Sequence, residues 1–481
     1  MTRLSRFVSL ACGALLAACS SPPCDSEPDL RTTDEDIEFV RTPEACFEDL
    51  PEWDFKAQYV TIDGLRQAYV EEGPNDGPVV LLLHGQPSWS YLYRKMIPVL
   101  SDAGFRVIAM DHLGMGRSDK PTNLDDYTFL VHYDRLGAFI EELELTDIHL
   151  FVQDWGSLLG LRYAGLNPDK FAAIAVGNGD LPDSPAGPPP WPEPENPEVP
   201  NDDLESLFTS IPEQQTPFYD GCDSLLTAGG DGPNFNFGGW IEYSMTASVF
   251  TASEVLEALT WFDLPSDVEA AYDAPYPSRI YMSGPRTFPS HVNDLPGLNS
   301  DARAGLEAFD RPFLTIWGGN DPGNLGQCGT QDALVCNVVG AAGQGHVRLA
   351  EASHFLQDDQ GVEIAGRLVD FFNGEVVPAE YVADCDGDDD PMLPITEDGT
   401  GTPCTSDDDC SGLTASLCLS LGTDDGFCTI EGCEPNACGD SYSCCGDCNP
   451  DIASMLPFEE SACLPEAAAS QLEAGAGCTC E

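Results

Sequence analysis

Val79-Val-Leu-Leu-Leu83 is an unbroken apolar run with no polar alternate. A strand that reads this way is buried on both faces, which happens in parallel sheets covered by helices on either side. Similar runs recur at Arg106–Met110, Ile148–Val152 and Phe171–Val176, separated by helical stretches such as Tyr133–Leu143. Gln58–Tyr69 adds an earlier strand. Strands alternating with helices predict an α/β fold with a mostly parallel sheet. The rhythm breaks at Leu181, and residues 182–202, with Pro188-Pro-Pro-Trp191-Pro192, are too rich in proline for a central element. Residues 203 to about 305 read as helical and aromatic. Strand character returns at Pro312–Trp317 and His346–Ala350, and a helix around Val362–Phe372 closes the core. This is the pattern of a helical cap (183–305) inserted into an α/β core (51–182 and 306–375).

The strand at Ile148 runs into Gln153-Asp154-Trp155-Gly156. A sharp strand-to-helix turn of this kind holds one side chain above the sheet, as in the nucleophile elbow of α/β hydrolases. A carboxylate there can attack carbon directly and form an ester. Taken alone, Asp154 could equally cap the helix that follows. The loop His84-Gly85-Gln86-Pro87, directly after the strand 79–83, favours the nucleophile. In this fold such a loop supplies one oxyanion-hole amide and the residue after the nucleophile the other, here Gln86 and Trp155. His84 itself reads as structural. Ser157 lies inside the helix, and no G-x-S-x-G occurs in the chain.

Chain order in this fold is nucleophile, acid, histidine. His354, in Ala352-Ser-His-Phe355 after the last strand, fits the base. Asp321, in Trp317-Gly-Gly-Asn-Asp-Pro322, fits the acid, with Asp180 after the preceding strand as its competitor.

The segments 84–95 and 111–121, the Gln153–Gly156 elbow and Ala352–Gln357 together resemble haloalkane dehalogenases over roughly residues 50–375. The subgroup resembled places its acid after the later strand and holds halide with two tryptophans. Trp155 matches the first, and Trp240, in Phe237-Gly-Gly-Trp-Ile-Glu-Tyr243, matches the second; Trp191 and Trp261 are alternatives. The resemblance implies that Asp154 displaces halide from a saturated carbon. His354, oriented by Asp321, then activates a water that hydrolyses the alkyl ester. No metal or organic cofactor is implied; the partners are a small haloalkane and water. An indole N–H is donor-only and suits an anion. Gln86 stands where some close relatives carry an acid, which bears on substrate preference.

Two other enzyme readings share this framework. An epoxide hydrolase needs cap tyrosines on the opening ring, and the cap offers Tyr243, Tyr272, Tyr276 and Tyr281. A fluoroacetate-type dehalogenase needs basic residues near the carboxylate, which this cap scarcely supplies. In a non-enzymatic reading the hydrolase domain is vestigial and the protein is an exported scaffold.

The flanks carry a different message. Arg3 and Arg6, the apolar stretch Phe7–Leu16 and Leu16-Ala-Ala-Cys19 resemble a bacterial lipoprotein signal (1–19) lipidated at Cys19; a plain secretory signal is the alternative. The expected location is therefore outside the cytoplasm, held to the bacterial outer membrane by lipid, or else periplasmic or secreted. Residues 20–50 read as a linker; Cys24 and Cys46 bracket this stretch and are candidates to pair, which the sequence alone does not establish. After Arg367 the chain has no Lys or Arg, and residues 371–481 hold 24 acidic residues and 13 cysteines. So few large apolar residues cannot form a core unaided, so residues 376–481 predict a small disulfide-rich appendage whose partner the sequence does not identify. Cys445-Gly-Asp-Cys448 has zinc-knuckle spacing, though export favours disulfides. Asp384–Asp390 is rich enough in carboxylates for calcium but lacks the full EF-hand pattern. A formal charge of −62, from 20 basic and 82 acidic residues, excludes nucleic acid as a partner.

Overall fold

The computed structural model describes residues 22–183, 202, 204, 207, 237–375, 377–383 and 385, with six short strand segments between 403 and 480. Cys19, Trp191, the Pro-rich stretch 184–201 and the acidic run 386–390 lie outside the described residues. The chain divides into two compact units, Met1–Ala383 and Asp384–Glu481.

In the first unit, eight strands form the central sheet: β1 (Ala57–Ile62), β2 (Leu65–Glu72), β3 (Val79–Leu83), β4 (Arg106–Met110), β5 (Ile148–Gln153), β6 (Phe171–Gly177), β7 (Phe313–Gly318) and β8 (Val347–Leu349). Their spatial order is β8-β7-β6-β5-β3-β4-β2-β1. Only the β1–β2 and β2–β4 pairs are antiparallel; the rest are parallel. Gln58–Tyr69, read from sequence as one strand, is instead the β1–β2 hairpin. Asp63 (φ +49°) and Gly64 (φ +75°) form its two-residue turn, a backbone that Asp-Gly adopts readily.

The apolar runs are explained by two hydrophobic layers. Leu81, Leu83, Leu150 and Val152 enter the layer under the helices Phe129–Glu142 and Trp155–Leu166. Val80, Leu82 and Phe151 enter the opposite layer, with the helices Met96–Asp102 and Leu356–Phe372. Period-2 geometry sends neighbouring side chains to opposite layers, so every position must be apolar.

Several boundaries differ from expectation. The helix expected from Tyr133 starts at Phe129, capped by Thr128, whose Oγ1 accepts the Val131 N–H at 3.1 Å. The closing helix starts at Leu356 rather than Val362 and kinks at Gln360. Ser300–Glu307, assigned by sequence largely to the cap, packs on the core helix Trp155–Leu166. An added Cβ at Gly165 would lie 2.0 Å from Ala302 O, which shows how closely the two backbones approach. Residues 22–50 are not a free tether: Phe39, Val40 and Phe47 are buried. Arg41 forms a double hydrogen bond with Asp119, and a disulfide joins Cys24 to Cys46.

The described part of the cap contains the helices Phe237–Thr246, Ala252–Ala258 and Ser266–Asp273. Cys328, Cys336 and Cys385 are also disulfide-bonded. Cys328 and Cys336 sit eight residues apart on one helix, Cys328–Asn337. That is about 12 Å of rise, too far for them to bond each other. No helix among the described residues is long and apolar enough to cross a membrane. The second unit contains two three-stranded antiparallel sheets among its described residues, built from 403–404, 426–429 and 417–419, and from 462–465, 442–446 and 479–480.

Candidate active site

Asp154 sits at the turn between β5 and the helix Trp155–Leu166 with φ +50° and ψ −131°. Such a backbone costs ~1–3 kcal/mol for a residue other than glycine and persists only where the surroundings impose it. Here the helix begins hard against the end of β3. A Cβ on Gly156 would lie 2.1 Å from Leu83 O, so only glycine allows the approach. Asp154 N–H donates to Asn178 O at 3.1 Å, and Asp154 O accepts the Ser157 N–H at 2.8 Å.

The Asp154 side chain makes no capping bond to its own helix. Its Oδ1 instead accepts the Gln86 backbone N–H at 2.7 Å. The carboxylate therefore faces the loop after β3, and helix capping does not explain it. Gly85 makes this possible, since a Cβ there would lie 2.1 Å from Asp154 Oδ1. His84 points away and is fully buried. Its Nε2 accepts the His112 N–H at 3.1 Å, and its Nδ1 lies 2.8 Å from Gly85 O. Burial pushes this imidazole down to about 4, so it is neutral and structural.

His354 follows β8. Its Nδ1 lies 2.8 Å from Asp321 Oδ2, and its Nε2 lies 3.6 Å from Asp154 Oδ2. Burial opposes protonation of His354. The Asp321 and Asp154 carboxylates override it and lift the imidazole to about 10. Burial likewise opposes ionisation of Asp321, yet His354, the Asn178 amide and the Gly323 N–H hold it below the usual carboxylate range.

Asp180, the competing acid, does not reach His354. It lies 3.5 Å from Arg303 Nη1 and accepts the Leu181 N–H at 2.7 Å. Burial raises its pKa and Arg303 partly offsets the rise.

Two supporting residues escaped the sequence reading. Asn178 Nδ2 donates to Asp321 Oδ2 at 2.7 Å, and Asn178 Oδ1 accepts the Gly318 N–H at 2.6 Å, joining the ends of β6 and β7. Gln153 Nε2 donates to His354 O at 3.1 Å and lies 3.2 Å from His354 Nε2. The available signals were position alone: Gln153 precedes the elbow aspartate, and Asn178 directly follows the adjacent strand.

Asp154, Asp321 and His354 open into a cavity of about 310 Å³. Its described walls are mostly apolar and include Trp155, Leu158, Trp240, Val255, Leu259 and Leu295. Trp240 comes from the cap helix Phe237–Thr246 and stacks on Tyr243 with ring centroids 5.9 Å apart. The alternative Trp261 is not among the described lining residues, and neither are Tyr243, Tyr272, Tyr276 and Tyr281. Tyr272 Oη donates to Asp358 Oδ2 at 2.5 Å, and Tyr276 Oη to Pro87 O at 3.4 Å. Among the described residues, no cluster of three potential ligands suited to a metal ion occurs.

A family profile described as "alpha/beta hydrolase fold" matches residues 78–222. A curated haloalkane dehalogenase of Mycolicibacterium paratuberculosis is 37% identical over 340 residues, covering 69% of this chain and 97% of the relative. One of Mycobacterium marinum is 38% identical over 343 residues, covering 69% and 99%. Among solved structures, the haloalkane dehalogenase DpaA from Paraglaciecola agarilytica is similar with a TM-score of 0.54 and 29% identity, covering 69% of this chain and 97% of that one.

Proposed function

The chain belongs to the haloalkane dehalogenases, and from that premise we propose that Asp154, His354 and Asp321 carry out its reaction with Trp155 and Trp240 as halide donors. The reaction is hydrolytic dehalogenation through a covalent aspartyl-alkyl ester. An Asp154 oxygen attacks the halogen-bearing carbon as the carbon–halogen bond breaks, and halide leaves with the bonding electrons. The Trp155 and Trp240 indole N–H groups stabilise the charge that grows on the halogen. His354 Nε2 then takes a proton from water while the water oxygen bonds to the ester carbonyl carbon. The Gln86 and Trp155 amides hold the tetrahedral oxyanion until it collapses, releasing the alcohol and restoring the Asp154 carboxylate. The His354 proton leaves to solvent.

The observation that carries this reading is the contact set of one carboxylate: Asp154 takes the Gln86 amide on one oxygen and faces His354 with the other. Esterification removes the Asp154 charge that helps keep His354 protonated. Epoxide opening is disfavoured because the described walls offer tryptophans and no tyrosine.

Halide release from 1-bromobutane or 1,2-dibromoethane by the full chain tests the reaction, and a His354→Ala variant should accumulate the alkyl ester, visible as added mass. Diol formation from an epoxide without halide release from any short haloalkane would overturn the assignment.

We also propose that the chain is exported and lipidated at Cys19, so that lipid alone anchors it to the outer membrane. The Cys24–Cys46 disulfide supports an oxidising compartment. The segment 376–481 is read as a disulfide-stapled appendage. The strand register supports this by setting Cys418 opposite Cys428 and Cys444 opposite Cys463. A Cys19→Ala variant should leave the membrane fraction; retention there would exclude the lipid anchor.

A further inference from the structure

The loop carrying His354 is tied down residue by residue, and part of that restraint comes from the cap. Ser353 Oγ donates to Asn320 O at 2.9 Å, and Gln153 Nε2 donates to His354 O at 3.1 Å. Phe355 N–H donates to Leu259 O at 3.2 Å, and the Leu259 side chain lines the cavity. A further tie runs through Asp359, a half-buried carboxylate in the first turn of the helix Leu356–Phe372. Its Oδ2 accepts the Ser353 N–H at 2.9 Å. Its Oδ1 accepts the Trp261 N–H at 2.8 Å and the Phe262 N–H at 3.2 Å. One carboxylate thus joins the residue before the base to the cap segment that follows a cavity wall.

We infer that Asp359 is a positioning residue for ester hydrolysis: it anchors the His354 loop to the cap through Ser353, Trp261 and Phe262, and so aims His354 Nε2 at the water that attacks the Asp154 ester. This rests on the dehalogenase reading of Asp154 and His354. Asp359 touches neither substrate nor the reacting atoms. The neighbouring Asp358 provides a contrast. It accepts from Arg94 Nη1 and Nη2 at 3.0 and 2.7 Å, from Lys95 Nζ at 3.0 Å and from the cap residue Tyr272. That tie holds cap to core without a side-chain bond to Ser353, His354 or Phe355.

The two chemical steps separate the roles. Halide displacement uses the Asp154 oxygen and the halide donors, while only the second step moves a proton to His354. A base displaced by about 1 Å costs on the order of a hundredfold in its own step and leaves the other step intact. Loosening Asp359 should therefore lower kcat and KM together and spare kcat/KM.

The test is single-turnover kinetics of the full chain on 1-bromobutane, with halide release and alkyl-enzyme mass followed separately and rates normalised to titrated active sites. D359N should slow ester hydrolysis by about tenfold or more and accumulate the alkyl enzyme, with kcat/KM within about twofold of the parent. Y272F, which loosens the cap elsewhere, should leave ester hydrolysis unchanged. Ester hydrolysis in D359N within about twofold of the parent would overturn the inference, as would equal slowing in both variants, which would mean general cap loosening. If D359N does not fold, D359E, which keeps the charge but moves the oxygens, takes its place with the same expected direction. Absence of halide release from the parent enzyme would instead remove the dehalogenase reading, a failure distinct from these.

Discussion

His354 Nε2 faces Asp154 Oδ2 at 3.6 Å, so the proposed base and the proposed nucleophile share one electrostatic environment. Each carboxylate beside the imidazole raises its affinity for a proton, and in the proposed reaction only that of Asp154 is transiently esterified. In the proposed reaction this geometry ties the protonation of His354 to the covalent state of Asp154.

Replacing Asp154 by Asn removes that charge while keeping the shape, as the ester does. The His354 pKa, lifted to about 10 in the free enzyme, should fall, and titration of the imidazole signals by NMR checks it. The sign for stability follows. A folded-state pKa above the ordinary 6.5 gives stability that is complete below about pH 6.5 and is lost as pH rises through about 10. That loss should shrink in D154N. An unchanged His354 titration would mean that Asp154 does not act on it.

Asn178→Ala removes the donor to Asp321 Oδ2 and the acceptor for the Gly318 N–H. Leaving buried polar groups unpaired costs about 1–3 kcal/mol each. Denaturant unfolding should show a loss of that order. The Asp321 pKa should rise, since one group that favours its charged form is gone.

Trp240→Phe keeps an aromatic surface in the cavity wall and deletes the indole N–H. By analogy with removal of an oxyanion donor, halide displacement should slow about 100-fold, with weaker bromide binding by fluorescence quenching. Trp261→Phe should leave bromide binding unchanged. The reverse pattern would move the second halide donor to Trp261.

Gly156→Ala would set a Cβ 2.1 Å from the Leu83 carbonyl oxygen. The strand end must shift, which should cost about 3 kcal/mol or more of stability and displace the Gln86 amide from Asp154. Thermal unfolding and halide release measure the two effects. Near-parental values for both would mean that the elbow tolerates a wider separation.

By itself the sequence showed the parallel core of the sheet and nominated the candidate reacting groups. An unbroken apolar run such as Val79–Leu83 admits few placements other than a strand covered on both faces. An aspartate between a strand and Trp-Gly, with a His-Gly loop upstream and a histidine after the last strand, marks the candidate nucleophile and base through local order along the chain. The sequence did not reveal what depends on contacts between distant segments. Asp321 and Asp180 both follow strands, and only the folded geometry puts Asp321 within 2.8 Å of His354 while Asp180 turns to Arg303. Trp240 and Trp261 are both cap tryptophans, and cap packing alone turns the first toward the cavity. Asn178, Gln153 and Asp359 carry no motif. Apart from Ser353 in the same loop as Asp359, their partners lie from 97 to 201 residues away in the chain. Strand patterns are written in neighbouring residues, whereas the supports of an active site arise from segments that only the completed fold brings together.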